Sequence, residues 1–229
     1  MTKVAEENGA DQNQKDLLAF YRYDSDHPFA GTYPLLARQM VEDYGVTRGL
    51  CLDIGTGGGP MLIELAKLTD LELVGIDLNP AALALADENV RRHGLEEKRF
   101  QWRQGDVHSL PLPDCFASFV ISRGSIPFWD DHALAFREIY RVLRPNGLAV
   151  IGGGFSRYQS PEEISRLRPG WARKDNPEKR ARWLHAEFLE NALRDAGVPS
   201  FKIVEDFSGI WAVFCKSSGG LSAAEGETA

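Results

Sequence analysis

The sequence predicts an α/β fold in which helices cover a mostly parallel sheet. From residue 49 onward, apolar strand-like runs alternate with helical segments, which is the pattern of parallel strands joined by right-handed crossovers. The first of these runs leads through a glycine-rich turn directly into a helix. The last two runs, Phe201–Phe207 and Ile210–Cys215, are joined only by Ser208 and Gly209, a link length typical of an antiparallel hairpin.

The flanks of the chain differ in composition from its middle. Residues 1–14 are polar and residues 217–229 are rich in glycine, serine, alanine and glutamate, so both are predicted to be disordered, as a leader and a tail. Residues 15–216 are predicted to form a single domain that begins with an N-terminal helical cap at 15–46. Within this cap, apolar residues at 17–21 predict a short helix, the stretch 24–28 ends it, and a second helix covers Tyr33–Tyr44.

The remaining elements follow from apolar runs, caps and breakers. Pro60 suits the first position of a helix because its missing N–H has no intrahelical partner there, and Asn79 is a residue type that caps helices. The predicted strands are Gly49–Asp53, Leu71–Asp77, Phe100–Gly105, Phe116–Ser122 and Leu148–Ile151, and the predicted helices are Pro60–Leu68, Pro80–His93, Asp131–Arg144 and Trp183–Ala196, with a turn at Pro145–Gly147.

The glycine-rich turn has the form D-x-G-x-G-x-G, with Asp53, Gly55, Gly57 and Gly59. A dinucleotide fingerprint needs glycine at the sixth position from Gly55, where Pro60 stands, and no Gly-Lys-Ser/Thr of a phosphate loop is present. On these residues the chain resembles the class I S-adenosylmethionine-dependent methyltransferases of small-molecule type. The resemblance implies a Rossmann-like, doubly wound seven-stranded sheet in the order 3-2-1-4-5-7-6, with strand 7 antiparallel, and S-adenosyl-L-methionine as cofactor.

Three further strand ends fit a cofactor site. Asp77 ends the second strand, where ligands of open α/β sheets bind, and its carboxylate can accept two hydrogen bonds from a ribose diol while Leu78 packs on adenine. The resemblance implies that Asp106 accepts the adenine amino hydrogen and that the N–H of Val107 binds a ring nitrogen. It also places Ser122, which ends the fourth strand, close to the sulfonium.

The acceptor side is predicted from the loop after the fourth strand and from the cap. Arg123, Phe128 and Trp129 would line it, together with Tyr23 and His27. The competing interpretation is that an aspartate at 130 or 131 only caps the next helix, with a surface histidine at 132. An insertion at 155–182 is predicted to cover the substrate. It holds eight basic and four acidic residues, which would attract an anionic acceptor or would simply form a solvated helical face.

The predicted reaction is in-line transfer of a methyl group to a small-molecule acceptor. No catalytic residue is assigned, because a general base is needed only if the acceptor must lose a proton. The Asn/Asp-Pro-Pro-Tyr/Phe tetrapeptide of the resembled enzymes that methylate amino groups of nucleic acids and proteins is missing after the fourth strand. Two alternatives stay open: a non-catalytic cofactor-binding domain and, more weakly, a nicotinamide-dependent oxidoreductase.

Composition limits the partners. A net charge of −7 and an isoelectric point near 5.3 argue against a nucleic-acid binder, and no apolar run is long enough to span a membrane. The three cysteines lie in apolar runs without metal-ligand spacing, so we expect buried free thiols, no metal site and a reducing, cytoplasmic compartment. The oligomeric state has no signal in the sequence.

Overall fold

The sheet has the predicted architecture. The computed structural model describes residues 18–171 and 185–218 and contains one seven-stranded sheet in the order β3-β2-β1-β4-β5-β7-β6, in which β7 runs antiparallel to its two neighbours. The α/β class and the strand order are therefore confirmed. The strands are β1 (Arg48–Ile54), β2 (Asp70–Asp77), β3 (Phe100–Gln104), β4 (Ala117–Arg123), β5 (Leu143–Gly154), β6 (Phe201–Asp206) and β7 (Gly209–Cys215).

The helices predicted from Pro60, Pro80 and Asp131 begin within one residue of those positions. Asn79 accepts a hydrogen bond from the N–H of Ala81, and Asp131 accepts one from the N–H of Leu134, so both are N-caps. Capping by Asp131 confirms that part of the competing interpretation. The helices are α1 (Thr32–Tyr44), α2 (Pro60–Leu68), α3 (Pro80–Arg92), α4 (His132–Val142), α5 (Pro161–Trp171) and α6 (Ala186–Asp195), with 3-10 turns at Glu97–Arg99 and Ile126–Phe128 and helical residues at 18–21.

The two faces of the sheet are buried under different helices. Alternate strand residues point to opposite faces, so Leu52 and Ile54 join the core beneath α4 and α6, whereas Cys51, next to Leu52, joins the core beneath α1 and α2. Val90, on the buried face of α3, belongs to the second core. With both faces covered, the carboxyl ends of the parallel strands are the place where polar side chains can meet.

The junction between α4 and β5 differs from its prediction. The helix ends at Val142 rather than at residue 144, and the tripeptide predicted as a turn lies inside β5. Pro145 disfavours helical conformation in the residue before it, which ends the helix early. Asn146 then adopts a φ of 63° and its N–H donates to the carbonyl of Lys216, so the strand is irregular here without being broken.

Some predictions fall outside the described residues. These are the leader at 1–14, the tail from 219 onward, residues 172–182 of the insertion and the first two residues of the predicted Trp183–Ala196 helix. Within the described residues, the expectation of three buried thiols is wrong, because Cys115 and Cys215 are exposed and Cys51 alone is buried. None of the helices in this part of the chain is long and apolar enough to cross a membrane.

Candidate functional site

The glycine turn leaves β1 at the carboxyl edge of the sheet. Gly55, Gly57 and Gly59 have φ values of 70°, 54° and 74°, a left-handed conformation that residues with a side chain seldom adopt. The N–H groups of Gly55 and Thr56 donate to the carbonyl of Ile76, at 2.8 and 3.0 Å, which ties the turn to the neighbouring strand β2. The turn is therefore a fixed part of the sheet edge.

Side chains already press against these glycines. A Cβ placed on Gly57 would lie 2.8 Å from the ring of Tyr21, and one on Gly55 would lie 2.4 Å from the Cβ of Ser125. A Cβ on Gly59 would lie 2.9 Å from the ring of Trp102. Close packing thus excludes side chains at all three positions, and the ring of Tyr21 rests directly on the turn.

Asp77 joins the turn to the start of α3. Its Oδ2 accepts the N–H of Gly57 at 2.8 Å and its Oδ1 accepts the N–H of Asn79 at 2.9 Å. Each carboxylate oxygen has two lone pairs, so each can still accept a further hydrogen bond. The residue predicted as a ligand contact therefore also holds the turn in place, a role for which the sequence pattern carries no signal.

Asp53 is buried at the end of β1. Only 3% of it is exposed, and its Oδ2 accepts the hydroxyl of Thr56 at 2.8 Å. Burial raises the pKa of Asp53 to about 7, and the nearby charge of Asp77 adds to this effect. The hydrogen bond of the Asp53 side chain is therefore to Thr56, a residue of the glycine turn itself.

Asp106 follows β3 and is braced by a histidine. Its Oδ1 accepts both the backbone N–H and the ring Nδ1–H of His108, at 2.9 and 2.6 Å. The N–H of Asp131 donates to the other ring nitrogen, Nε2, which assigns the ring proton to Nδ1. Hydrogen bonding by His108, its backbone N–H first, lowers the pKa of Asp106, so the carboxylate is charged. Val107 between them is buried in the core.

The remaining predicted residues near the strand ends divide into exposed and buried side chains. Leu78 and Phe128 are 64% and 62% exposed, which is unusual for large apolar side chains and leaves both at the open edge. Ser122 is fully buried and its hydroxyl donates to the carbonyl of Ile54 at 2.7 Å, so it fastens β4 to β1. Trp129 is 6% exposed and packs edge-on against Phe136 in the core. Trp129 therefore packs in the core, and we do not propose it as an acceptor contact.

Tyr23 and His27 are also buried. The hydroxyl of Tyr23 donates to Glu64 at 2.9 Å, and Nδ1 of His27 accepts the N–H of Phe29 at 3.0 Å. Burial lowers the pKa of His27 to about 4, with the charge of Arg123 as the next cause. Tyr23 thus attaches the N-terminal layer to α2, and the His27 contact lies within that layer, so both side chains stabilise the fold.

Asn89 is a residue of this region that the sequence analysis did not single out. It is fully buried on α3, and its Nδ2 donates to the carbonyls of Tyr21 and Gly58, each at 2.9 Å. Its Oδ1 accepts the N–H of Tyr23 at 3.2 Å. Asn89 thus ties the cap segment, residues 18–31, to the glycine turn. A polar residue three positions after Ala86 on the apolar face of the helix is the signal that could have identified it.

Arg123 ends β4 and is held by several groups at once. Its Nε donates to the carbonyl of Gly154 and its Nη1 donates to the hydroxyl of Tyr33, both at 2.9 Å. The guanidinium carbon lies 4.8 Å from the ring centre of Phe29 and 4.7 Å from that of Tyr33. The side chain is half-buried and its orientation is fixed.

The chain is similar to known methyltransferases. Residues 52–151 match the model of a methyltransferase domain family. A protein of Methanococcus maripaludis, assigned to the S-adenosyl-L-methionine-dependent methyltransferases, has a crystal structure that superposes with a TM-score of 0.75 at 34% identity, over 86% of this chain and 90% of that one.

Two curated relatives match over shorter lengths. The uncharacterized methyltransferase YdaC of Bacillus subtilis is 34% identical over 118 residues, and the demethylmenaquinone methyltransferase of Lactobacillus johnsonii is 36% identical over 98 residues. These matches cover 51% and 42% of this chain but only 62% and 40% of the relatives, less than two thirds of their length. Together with the strand order and the glycine turn, the comparisons show that the chain belongs to the class I S-adenosylmethionine-dependent methyltransferases.

Proposed function

We propose that the protein transfers a methyl group from S-adenosyl-L-methionine to a small-molecule acceptor by in-line displacement. The observation that carries this proposal is the meeting of the glycine turn with Asp77 and Asp106 at one edge of the sheet. Both carboxylates lie at the ends of neighbouring parallel strands, β2 and β3. Membership of the methyltransferase family supports methyl transfer over the nicotinamide-dependent alternative.

The residues at this edge fit the cofactor. Asp77 keeps one lone pair on each oxygen beyond its two backbone hydrogen bonds, which suits the two hydroxyls of a ribose. Asp106 has 47% of its side chain exposed and would accept the adenine amino hydrogen. The exposed side chain of Leu78 offers an apolar surface for the adenine ring. Ser122 is too buried for a side-chain contact, so we assign it a supporting role.

The protein's contribution is binding, orientation and the exclusion of water. When bound, S-adenosyl-L-methionine supplies a methyl carbon that its sulfonium has already activated. Tyr21 and the cap segment lie on the glycine turn, and Asn89 keeps them there, so this part of the site is shielded from solvent. Correct positioning of two reactants contributes up to about 7–11 kcal/mol in well-oriented systems. We assign no general base, since the buried His27 already accepts a backbone N–H at Nδ1.

The acceptor would lie beyond β4, near Arg123 and the exposed Phe128. The relative named demethylmenaquinone methyltransferase has a small molecule in its name, which supports an acceptor of this kind. The half-buried guanidinium and the exposed aromatic ring are the described side chains that we assign to this side of the site.

Calorimetry with purified protein tests the cofactor. We expect S-adenosyl-L-methionine and its demethylated product to bind with micromolar affinity and NAD not to bind. Binding of NAD without S-adenosyl-L-methionine would overturn the proposal. Incubation of the protein with a labelled methyl donor and a small-molecule extract then tests transfer. Cofactor binding without any labelled product would favour the non-catalytic alternative.

A further inference from the structure

The guanidinium of Arg123 is a fixed cation at the edge of the sheet. Its two hydrogen bonds to Gly154 and Tyr33 use two of the five N–H groups that an arginine carries, and three remain. The rings of Phe29 and Tyr33 restrict its movement further. A cation that is already oriented loses little freedom when it binds a ligand.

This cation has no anionic partner within the part of the chain that the structure describes. No carboxylate of residues 18–171 or 185–218 forms an ion pair with Arg123, whereas Arg141 and Arg157 each pair with acidic neighbours. Nη2 of Arg123 makes none of the hydrogen bonds described above. Among the described residues, the fully buried side-chain nitrogen or oxygen that lacks a partner is the indole nitrogen of Trp102, so Nη2 is not fully buried and solvent can reach it. A half-buried charge that is paired only with neutral groups is unusual and favours an anionic ligand.

The position of Arg123 separates it from the acids that we assign to the cofactor. Asp77 and Asp106 follow β2 and β3, whereas Arg123 ends β4 and is paired with Gly152 of β5. Strand β1 lies between β2 and β4 in the sheet, and neighbouring strands are about 4.8 Å apart. The guanidinium therefore lies toward β5, on the side left for the acceptor.

We propose that Arg123 anchors a carboxylate or similar oxyanion of the acceptor and so determines which acceptors bind. This inference rests on the proposed function and adds the chemical class of its second substrate. The planar guanidinium presents its remaining N–H groups as a fork, which suits the two oxygens of a carboxylate. Most basic residues of the insertion lie outside the described residues, and the proposal does not depend on them.

The test compares benzoate with its neutral counterpart benzamide. Binding of each is measured by calorimetry or ligand-observed NMR on the full chain saturated with S-adenosylhomocysteine. We expect the wild-type protein to bind benzoate at least tenfold more tightly than benzamide. Arg123→Met should abolish this preference, and Arg123→Lys should keep part of it, since the charge remains while the fork is lost. Arg103→Met is the matched control and should keep the wild-type preference, because Arg103 lies on β3 with its guanidinium over the ring of Phe116.

The outcomes distinguish this inference from the proposed function. Equal binding of the two probes by wild type, or a preference that survives in Arg123→Met, overturns the inference. If Arg123→Met instead weakens the binding of S-adenosylhomocysteine tenfold or more and leaves the benzoate preference intact, the guanidinium binds the cofactor and the inference is wrong. Should wild type fail to bind S-adenosylhomocysteine at all, the proposed function fails and this inference fails with it. If Arg123→Met does not fold, Tyr33→Phe serves as the second variant. It keeps the charge of Arg123 and removes the hydrogen bond to the Tyr33 hydroxyl, so it should retain the preference for benzoate, and loss of that preference would overturn the inference.

Discussion

Replacing Asp77 with alanine should weaken cofactor binding more than it weakens the fold. The substitution removes the acceptor of two backbone N–H groups, those of Gly57 and Asn79, both in a part-buried region where water can reach. We expect a loss of about 2 kcal/mol in the free energy of unfolding, because water replaces part of each bond, and hence a fall in Tm of roughly 4–8 °C. The stability and the cofactor affinity of Asp77→Asn should lie between those of wild type and Asp77→Ala, since the amide keeps one accepting oxygen.

The effect on binding has a separate magnitude. Hydrogen bonds from a ribose diol to the charged carboxylate are worth about 1.5–3 kcal/mol each, which corresponds to one to two decades in Kd for each bond lost. Disorder of the glycine turn would weaken the binding of any ligand at this site. The loss of the ribose hydrogen bonds is separated from the loss of turn order by measuring the Kd of S-adenosyl-L-methionine and of an analogue that lacks both ribose hydroxyls. Both ligands are measured on wild type and on Asp77→Ala, because loss of turn order affects both ligands alike.

Calorimetry on the four combinations gives the coupling between Asp77 and the diol. We expect wild type to prefer the natural cofactor by at least tenfold and Asp77→Ala to bind the two ligands almost equally. Asp106→Ala is the matched control, since it removes a carboxylate from the neighbouring strand end and should leave the ribose preference unchanged. If Asp77→Ala keeps the full preference of wild type, the ribose is held elsewhere and the placement of the cofactor is wrong.

Three further substitutions probe the surroundings of the site. Gly57→Val should abolish cofactor binding by calorimetry, because a branched side chain cannot adopt a φ of 54° without strain and its Cβ would lie 2.8 Å from the ring of Tyr21, so the turn and that ring must shift. The circular dichroism spectrum should stay that of a folded protein, since the change is confined to the turn, and normal binding would contradict this. The pKa of Asp53, raised to about 7 from an ordinary value near 3.8, means that the stability contributed by its protonated form is full below about pH 4 and is lost as the pH rises to 7. Asp53→Asn should therefore raise Tm relative to wild type at pH 8 but not at pH 4, and an equal shift at both values would refute the assignment. Asn89→Ala removes three hydrogen bonds to the backbone, two of them buried, and should speed tryptic cleavage at the exposed Arg22, whereas unchanged cleavage would show that the cap segment is held by other contacts.

The sequence predicts where the acids of the candidate site lie in the sheet because each marks the end of a strand, and their contacts with a cofactor stay a prediction. Asp53, Asp77 and Asp106 follow apolar runs whose lengths and glycine or turn neighbours are visible in the chain, and parallel strands bring their carboxyl ends to one edge. What the spacing cannot show is the direction of each side chain. Asp53 is turned inward and holds Thr56, whereas Asp77 points to the backbone N–H groups around it.

The acceptor side was harder to predict because its geometry depends on contacts distant in sequence. The 3-10 turn at Ile126–Phe128 directs Trp129 into the core against Phe136, although the loop sequence alone is equally compatible with an exposed aromatic ring. Tyr23 and His27 lie in a polar stretch that resembles a surface loop. They are buried because the cap segment folds back onto α3, a contact made 66 residues further along the chain by Asn89.

The manner in which Asn89 holds the cap segment has a consequence for how such a protein can change. All three of its partners are main-chain atoms: two carbonyl oxygens and one N–H. Every non-proline residue supplies those same atoms, so the attachment does not depend on which side chain stands at positions 21 or 23. A substitution at position 21 can therefore change the side chain that rests on the glycine turn while the path of the backbone is preserved. Descendants of this chain could thus change the side chain that covers the glycine turn without first having to rebuild the framework that supports it.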